Sequence, residues 1–429
     1  MNRKLLRQTA NEWRTNLWLA LELLIVSIIV WYIADFLYVA VATRLEPTGF
    51  DADHVYKLEY RVLPKESPRY METEGDEKEA RADELRRIVN AIRLRPGVEA
   101  VSLSMGAEPY SQNYMGTMLR TERDTLDMNV FTRRITPSHI KVLHYAPAEA
   151  GVTEDALVEK LSRGEYLVSD FYPGFNSTHG SGPNIKDLTA SQLVGRRFHL
   201  FRDSVDNFTI GGVVGLVKRT SIESGGPISL FVPINESTTD ILSGRTISVR
   251  VSPEADRDFI DGFNADRERL YRSGNTYISK IQSYDSVRKA ADHDNMVEIR
   301  KYIACMVFML VSVFLGLLGT FWFRTQQRVP EIAVRKVNGA SNTSVFSRLI
   351  GEGMLLLALV TPVAAIVDCV LCKYEFNSVY GAFGYFSGGR FLITVIFTFV
   401  VIALMIIGGI WFPASRAMKI DPARALADE

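Results

Sequence analysis

Apolar residues along this chain are gathered into four long blocks, Leu17 to Thr43, Tyr302 to Phe323, Phe346 to Cys372 and Phe391 to Phe412, with one long polar interval after the first. Each block exceeds the roughly 20 residues that an α-helix needs to cross about 30 Å of hydrocarbon. A soluble domain spreads its apolar residues differently, so the pattern predicts four transmembrane helices. The first block follows Arg3, Lys4, Arg7 and Arg14 and carries Ala40-Val41-Ala42, as a secretory signal would. Its apolar run far exceeds the roughly 7 to 15 residues of a signal core, and an uncleaved anchor is expected.

The polar interval has its own periodicities. His54 to Val62 alternates, with Tyr56, Leu58, Tyr60 and Val62 on one face and Lys57, Glu59 and Arg61 on the other, which predicts a half-buried strand. Glu77 to Arg95 places Leu85, Ile88, Val89 and Ile92 at helical spacing and leads into the apolar stretch Val98 to Leu103. Further strands are expected at Tyr166 to Val168, Arg197 to Phe201, Phe208 to Val217, Ile228 to Ile234, Thr246 to Val251 and Thr276 to Tyr284, with a charged helix over Asp256 to Leu270. The fold class is membrane α-helical, with four transmembrane helices and a large α+β extracytoplasmic domain inserted between helices 1 and 2. The Gly-, Ser- and Pro-rich stretch Asn176 to Asn184 is a loop and the expected boundary between two lobes.

Orientation follows from Lys and Arg near the span ends. Arg324, Arg328, Arg335, Lys336 and Arg348 flank the loop between spans two and three, and Arg416, Lys419 and Arg424 follow span four, whereas only Lys373 and Arg390 bracket the other short loop. Both termini and the 324–348 loop are therefore expected in the cytoplasm, with the interval from Arg44 to Arg300 outside. Trp18, Trp322 and Trp411 fall at the cytoplasmic interface. The layout reads as an amphipathic cytoplasmic helix (1–16), span one (17–43), core domain (44–284), stalk and span two (285–323), cytoplasmic loop (324–345), span three (346–372), a short outer loop (373–390), span four (391–412) and a cytoplasmic tail (413–429). With 49 basic and 49 acidic residues the chain has no global field for nucleic acid. Its three cysteines, Cys305, Cys369 and Cys372, lie in or at the edges of spans, so no disulfide is expected in the outer domain.

Asp285 to Arg300 contains no Gly or Pro and runs into the second span, predicting one helix of about 39 residues. At about 1.5 Å per residue it would be roughly 58 Å long, nearly twice the hydrocarbon thickness. Such a helix is either a lever or a passive spacer. The loop that follows, Arg328 to Ser341, reads as a short amphipathic helix. Pro330 suits its first turn, Glu331 and Arg335 are an i,i+4 pair, Gly339 suits a left-handed cap, and Val329, Ile332, Ala333, Val337 and Ala340 form an apolar stripe.

That loop, with Glu352 early in span three and the closing Pro413-Ala-Ser-Arg-Ala417 and Ile420-Asp-Pro422-Ala-Arg-Ala-Leu426, resembles the membrane domain of the MacB/FtsX superfamily of ABC transporter permeases over Tyr302 to Glu429. Arg328, Glu331, Ile332, Arg335, Gly339, Ala340 and Ser341 map onto the family's loop, and Asn338 stands where a small or apolar residue is commoner. The outer domain resembles the MacB-type periplasmic core domain more loosely, through stretches such as Phe208 to Gly215 and Ile247 to Val251. The resemblance implies a bacterial inner-membrane permease whose loop helix, with Lys336 beside the matched residues, docks on a cytoplasmic ABC ATPase. It also implies a second permease subunit, homo- or heteromeric, ATP and Mg held by the ATPase rather than by this chain, and a possible periplasmic adaptor or outer-membrane partner besides membrane lipids. Efflux or export is the expected role, with regulation of cell-wall hydrolases, as in the FtsX branch, the alternative. An anchored receptor or adhesin would need only one span.

No catalytic site is expected. The chain has no Gly-Lys dipeptide and hence no phosphate-cradling loop, and no Gly-x-Ser-x-Gly elbow. His54, His139, His144, His179 and His199 show no metal-ligand spacing; Gly211-Gly212 reads as a bulge or close packing, and Asp256, Asp258 and Asp261 as a solvated face. Glu22, Asp35, Glu352 and Asp368 lie within several residues of span ends and are expected to reach the interface, with a proton relay the alternative and Glu352 alternatively contacting the loop helix.

Overall fold

The computed structural model describes residues 13–73, 75–111, 115–120, 127–171, 189–200, 203–221, 228–374 and 387–417. After α1 (Trp13–Leu45) come β1 (Val55–Val62), α2 (Glu77–Arg93), β2 (Val98–Met105), β3 (Met115–Arg120), β4 (Asp127–Ile135), α3 (His139–Leu143), α4 (Glu154–Ser162), β5 (Tyr166–Ser169), β6 (Arg197–Leu200), β7 (Asp203–Val214) and β8 (Ser229–Pro233). The chain continues through β9 (Thr246–Val251), α5 (Pro253–Asp256), α6 (Phe259–Leu270), β10 (Arg272–Ser273), β11 (Thr276–Ser283), α7 (Tyr284–Gln327), α8 (Val329–Val337), α9 (Asn342–Lys373) and α10 (Gly388–Ala417). Two units result, one holding residues up to Ala42 and from Val297 onward, the other Thr43–Met296.

In the second unit the expected strand-helix-strand opening is present. Asp76 caps α2 by accepting a hydrogen bond from the Lys78 amide at 2.8 Å, and the helix buries Ala82, Leu85, Ile88, Val89 and Ile92. They pack on a sheet portion ordered β10-β11-β1-β9-β2, whose central strand β9 is buried along its whole length, and Phe259 and Phe263 of α6 join the same core. Hydrogen bonding continues into β4-β3-β6-β7-β5-β8, an eleven-stranded sheet in all. Because β4 also pairs in parallel with β8, the last six strands close into a ring. Its interior is filled by Leu119, Val130, Phe198, Phe208, Ile210 and Leu230 among others, as alternate inward-facing positions of a small closed sheet should be.

The loop 176–184 lies outside the described residues, but the expected lobe division does not fall there. β5, which precedes it, pairs with β7, which follows it. In that pairing Tyr166 opposes Ile210 and Leu167 opposes Gly212, so Gly211 is the bulged residue. A Cβ at Gly211 would sit 2.0 Å from the Glu165 carboxylate, which accounts for the glycine by close packing, as expected.

Three buried cations hold main-chain carbonyls in this unit. Lys218, fully buried, donates to the carbonyls of Thr43 at 2.6 Å and Glu46 at 2.8 Å and pairs with the Glu46 carboxylate at 3.2 Å. Arg250 donates to Val142, Asp53 and Asp51 carbonyls at 2.7, 3.2 and 2.7 Å. Arg133 donates to the Ser229 hydroxyl at 2.8 Å and to the Lys218 carbonyl at 3.5 Å. The segment that leads from α1 to β1 is thus seated by Lys218 and Arg250. The root of α7 is seated as firmly: Tyr284 is fully buried, hydrogen-bonded to Ser248 at 3.0 Å, and Val287 and Ala291 pack on the same core.

The first unit holds helices long and apolar enough to cross a membrane, over Leu17–Leu45, Ile299–Gln327, Asn342–Lys373 and Gly388–Arg416. These match the four expected spans, with each helix running a few residues past its apolar block. α10 extends through Pro413 to Ala417, where a tail was expected. Proline removes one intrahelical hydrogen bond, and Ala414 and Ala417 favour helix. α7 is unbroken over 44 residues, as the absence of Gly and Pro before the span predicted.

Candidate functional site

The loop between spans two and three is built from local chemistry. Pro330 lies in the first turn of α8, where its missing N–H is not needed. Arg335 donates to Glu331 Oε1 from Nε at 3.1 Å and from a terminal nitrogen at 2.8 Å, one turn apart. Gly339 adopts φ 87°, a left-handed conformation open to glycine. Its amide donates to the Lys336 carbonyl and the Ala340 amide to the Arg335 carbonyl, both at 3.0 Å. This is a Schellman closure. Ser341 follows at once as the N-cap of α9, accepting from the Ser344 amide at 3.2 Å. Gly339, Ala340 and Ser341 are therefore stop, bridge and start, and the two helices meet with no spare residue.

Ile332 and Ala333 are 4% exposed, and Ile332 packs with Val345, Val329, Ala340 and Leu349. Val337, expected in that stripe, is instead 67% exposed, and Val334 is 48% exposed. Five residues beyond Ile332, at about 100° each, place Val337 about 140° around the helix, so it joins Val334 on an outer ridge. Glu352 contacts the loop helix: its carboxylate is bonded to Arg328, the residue before α8, and lies 3.5 Å from Arg348 Nε. A cleft of about 360 Å³ runs between α8 and α9, with Arg328, Glu331, Arg335, Ser344 and Arg348 on its walls. Lys336 lies half-buried on its flank. The loop thus offers a charged cleft and an apolar ridge on a helix fastened to span three.

The other motif positions are more scattered. Pro413 is buried within α10. Ala417 is its last residue, and Pro422 and Leu426 lie outside the described residues. Among the membrane acids, Glu22 accepts from Thr320 at 3.1 Å. Asp35 and Asp368 are 0% and 3% exposed, turned into the bundle, where Arg390, distant in sequence, pairs with Asp35.

In the outer unit no group of three His, Cys, Asp or Glu among the described residues could hold a metal. His54 pairs with Asp256 at 3.1 Å and His144 with Glu154 at 3.3 Å, while His179 lies outside the described residues. Asp256 also accepts from the Tyr56 hydroxyl at 2.7 Å, so it is engaged rather than a free solvated face. His139 is fully buried against Ser102 at 2.8 Å; burial, then the nearby Arg133 charge, lowers its pKa to about 3. The unfolded chain binds that proton near pH 6.5 and the folded chain does not, so stability is lost as pH falls from about 6.5 toward 3. A slope contribution of up to about 1.4 kcal/mol per pH unit is expected in denaturant titrations of the full-length chain, and His139→Asn should flatten it.

Four helices long and apolar enough to cross a membrane, a domain inserted after the first and a capped amphipathic helix fastened to the third define a multi-span membrane protein. Residues 303–422 match the family described as FtsX-like permease C-terminal, and the resemblance to MacB/FtsX-type ABC permeases is borne out over the membrane segment. The chain is similar to the extracellular domain of the noncanonic ABC-type transporter YknZ from Gram-positive bacteria, at 11% identity and TM-score 0.28, over 52% of this chain and 100% of that one. It is similar also to a domain of a protein named as a permease from Porphyromonas gingivalis, at 15% identity and TM-score 0.33, over 55% and 92%. No curated protein is matched.

Proposed function

We propose that this chain is the non-catalytic permease subunit of an ABC export system, in a bacterial inner membrane with both termini cytoplasmic. A separate ATPase binds ATP and Mg and docks on α8; a second permease subunit completes the membrane part; and ATP-driven movement passes to the outer domain for efflux of a substrate held outside. The observation that carries this reading is α8 itself, whose Val334-Val337 ridge and Glu331-Arg335 pair are offered outward while Arg328 and Glu352 fasten it to span three. The lever part is supported by α7, one unbroken helix whose root is buried at Tyr284.

Inserting two residues between Asp285 and Arg300 turns everything beyond by about 200° and shifts it by about 3 Å along the helix. The expected result is an ATPase that still turns over in the complex while spin-label distances across the outer domain no longer respond to ATP. A full response in the insertion variant sinks the lever.

A further inference from the structure

The cleft of about 360 Å³ between α8 and α9 has basic walls. Arg328, Arg335 and Arg348 stand on them against one carboxylate, Glu331, while Lys336 lies on the flank. The three guanidinium groups come from the turn before α8, from α8 itself and from the second turn of α9, so the fold gathers them rather than a local run of sequence. Glu352 engages Arg328 and Arg348 from the side of span three, which holds both side chains at the cleft in partly buried positions. Ser344 and Ser347, on the first two turns of α9, add hydroxyl groups to the same wall.

Tryptophan marks the depth of this cleft in a bilayer. The bond between Glu22 and Thr320 sets the start of α1 beside the end of α7, so Trp18 and Trp322 lie at the end of the bundle that carries α8. Trp411 of α10 lies there too: it meets Phe346 of α9 edge-on, ring centroids 5.3 Å apart, one residue before Ser347. Trp18 and Trp411 are exposed, and such rings settle at the headgroup level of a membrane. Leu404 and Trp411, two turns apart on one exposed face of α10, lead from that level toward hydrocarbon. Basic pockets between transmembrane helices at this depth take up phosphate headgroups, because the guanidinium fork matches a pair of phosphate oxygens.

We propose that the cleft between α8 and α9 binds the phosphate headgroup of an anionic phospholipid, with Arg335 and Arg348 on its unesterified oxygens and its acyl chains along the exposed face of α10. A lipid so placed bridges the loop helix and span three. The inference depends neither on the ATPase nor on the cargo.

Native mass spectrometry of the full chain in mixed micelles tests it. Offered equal amounts of phosphatidylglycerol and phosphatidylcholine with the same acyl chains, the wild type should retain one phosphatidylglycerol in preference by about 10-fold or more. Ser347→Glu sets a carboxylate on the wall at an exposed position, where the folded chain has little to lose, and should abolish the preference. Arg335→Gln should reduce it, while Arg416→Gln, which removes the same charge beside Trp322 instead, should leave it intact. No preference in the wild type, or one undiminished in Ser347→Glu, overturns the site. A loss in Arg416→Gln as large as in Arg335→Gln overturns it in favour of diffuse attraction. Displacement of the lipid by millimolar inorganic phosphate overturns the lipid assignment in favour of a free anion.

Discussion

Lys218→Met in the full-length chain is expected to lower the stability of the outer domain by about 3–5 kcal/mol, the range found when one partner of a buried ion pair is removed. Methionine keeps the volume of the stem and supplies no donor. Its effect is therefore electrostatic: the carbonyls of Thr43 and Glu46 and the Glu46 carboxylate, which the ammonium holds at 2.6, 2.8 and 3.2 Å, are left without it. Burial alone pushes the Lys218 pKa down, while Glu46 opposes it, so the charge is present because this cradle is. Urea titration followed by outer-domain fluorescence reads the change as a shifted midpoint at constant slope. A loss under about 1 kcal/mol would mean that water replaces the ammonium and that the exit from α1 is not clamped.

The second large effect is expected at α8. Val334→Asp combined with Val337→Asp should weaken capture of the proposed ATPase partner by at least about 30-fold, the equivalent of roughly 2 kcal/mol for truncating a central apolar contact. Both side chains are already exposed, so the folded chain has little to lose by the change. Ile332→Asp is the contrasting variant: it buries a charge at a 4% exposed position and should act on folding first. Binding unchanged in the Val334/Val337 variant, with the chain intact, removes the docking role from α8.

How far the structure could be read in the sequence depends on whether the signal was local. Spans, the α2 face and the α8 turn were legible because each rests on periodicity or on a cap within a few residues. β3 and β4 were missed for the opposite reason. Arg133 and Arg134 interrupt the alternation of β4, and the partners that hold Arg133 inside are distant in sequence, Ser229 receiving its Nε–H from 96 positions away. Val337 was misplaced by treating a nine-residue helix as one uniform stripe. Asp35 and Arg390 are 355 positions apart, and neither segment announces the other. Lys218 gave no signal at all, since a lone lysine after a glycine-rich strand looks like any surface residue.

The ring of six strands also bears on recruitment. With β4 joined to β8, the shared sheet keeps an open border among the described residues where β10, only two residues long (Arg272–Ser273), covers just Thr276 and Tyr277 of β11. The remaining outer edge of β11, residues 279–283, has no strand opposite it among the described residues, and that short length is where an added strand would pair.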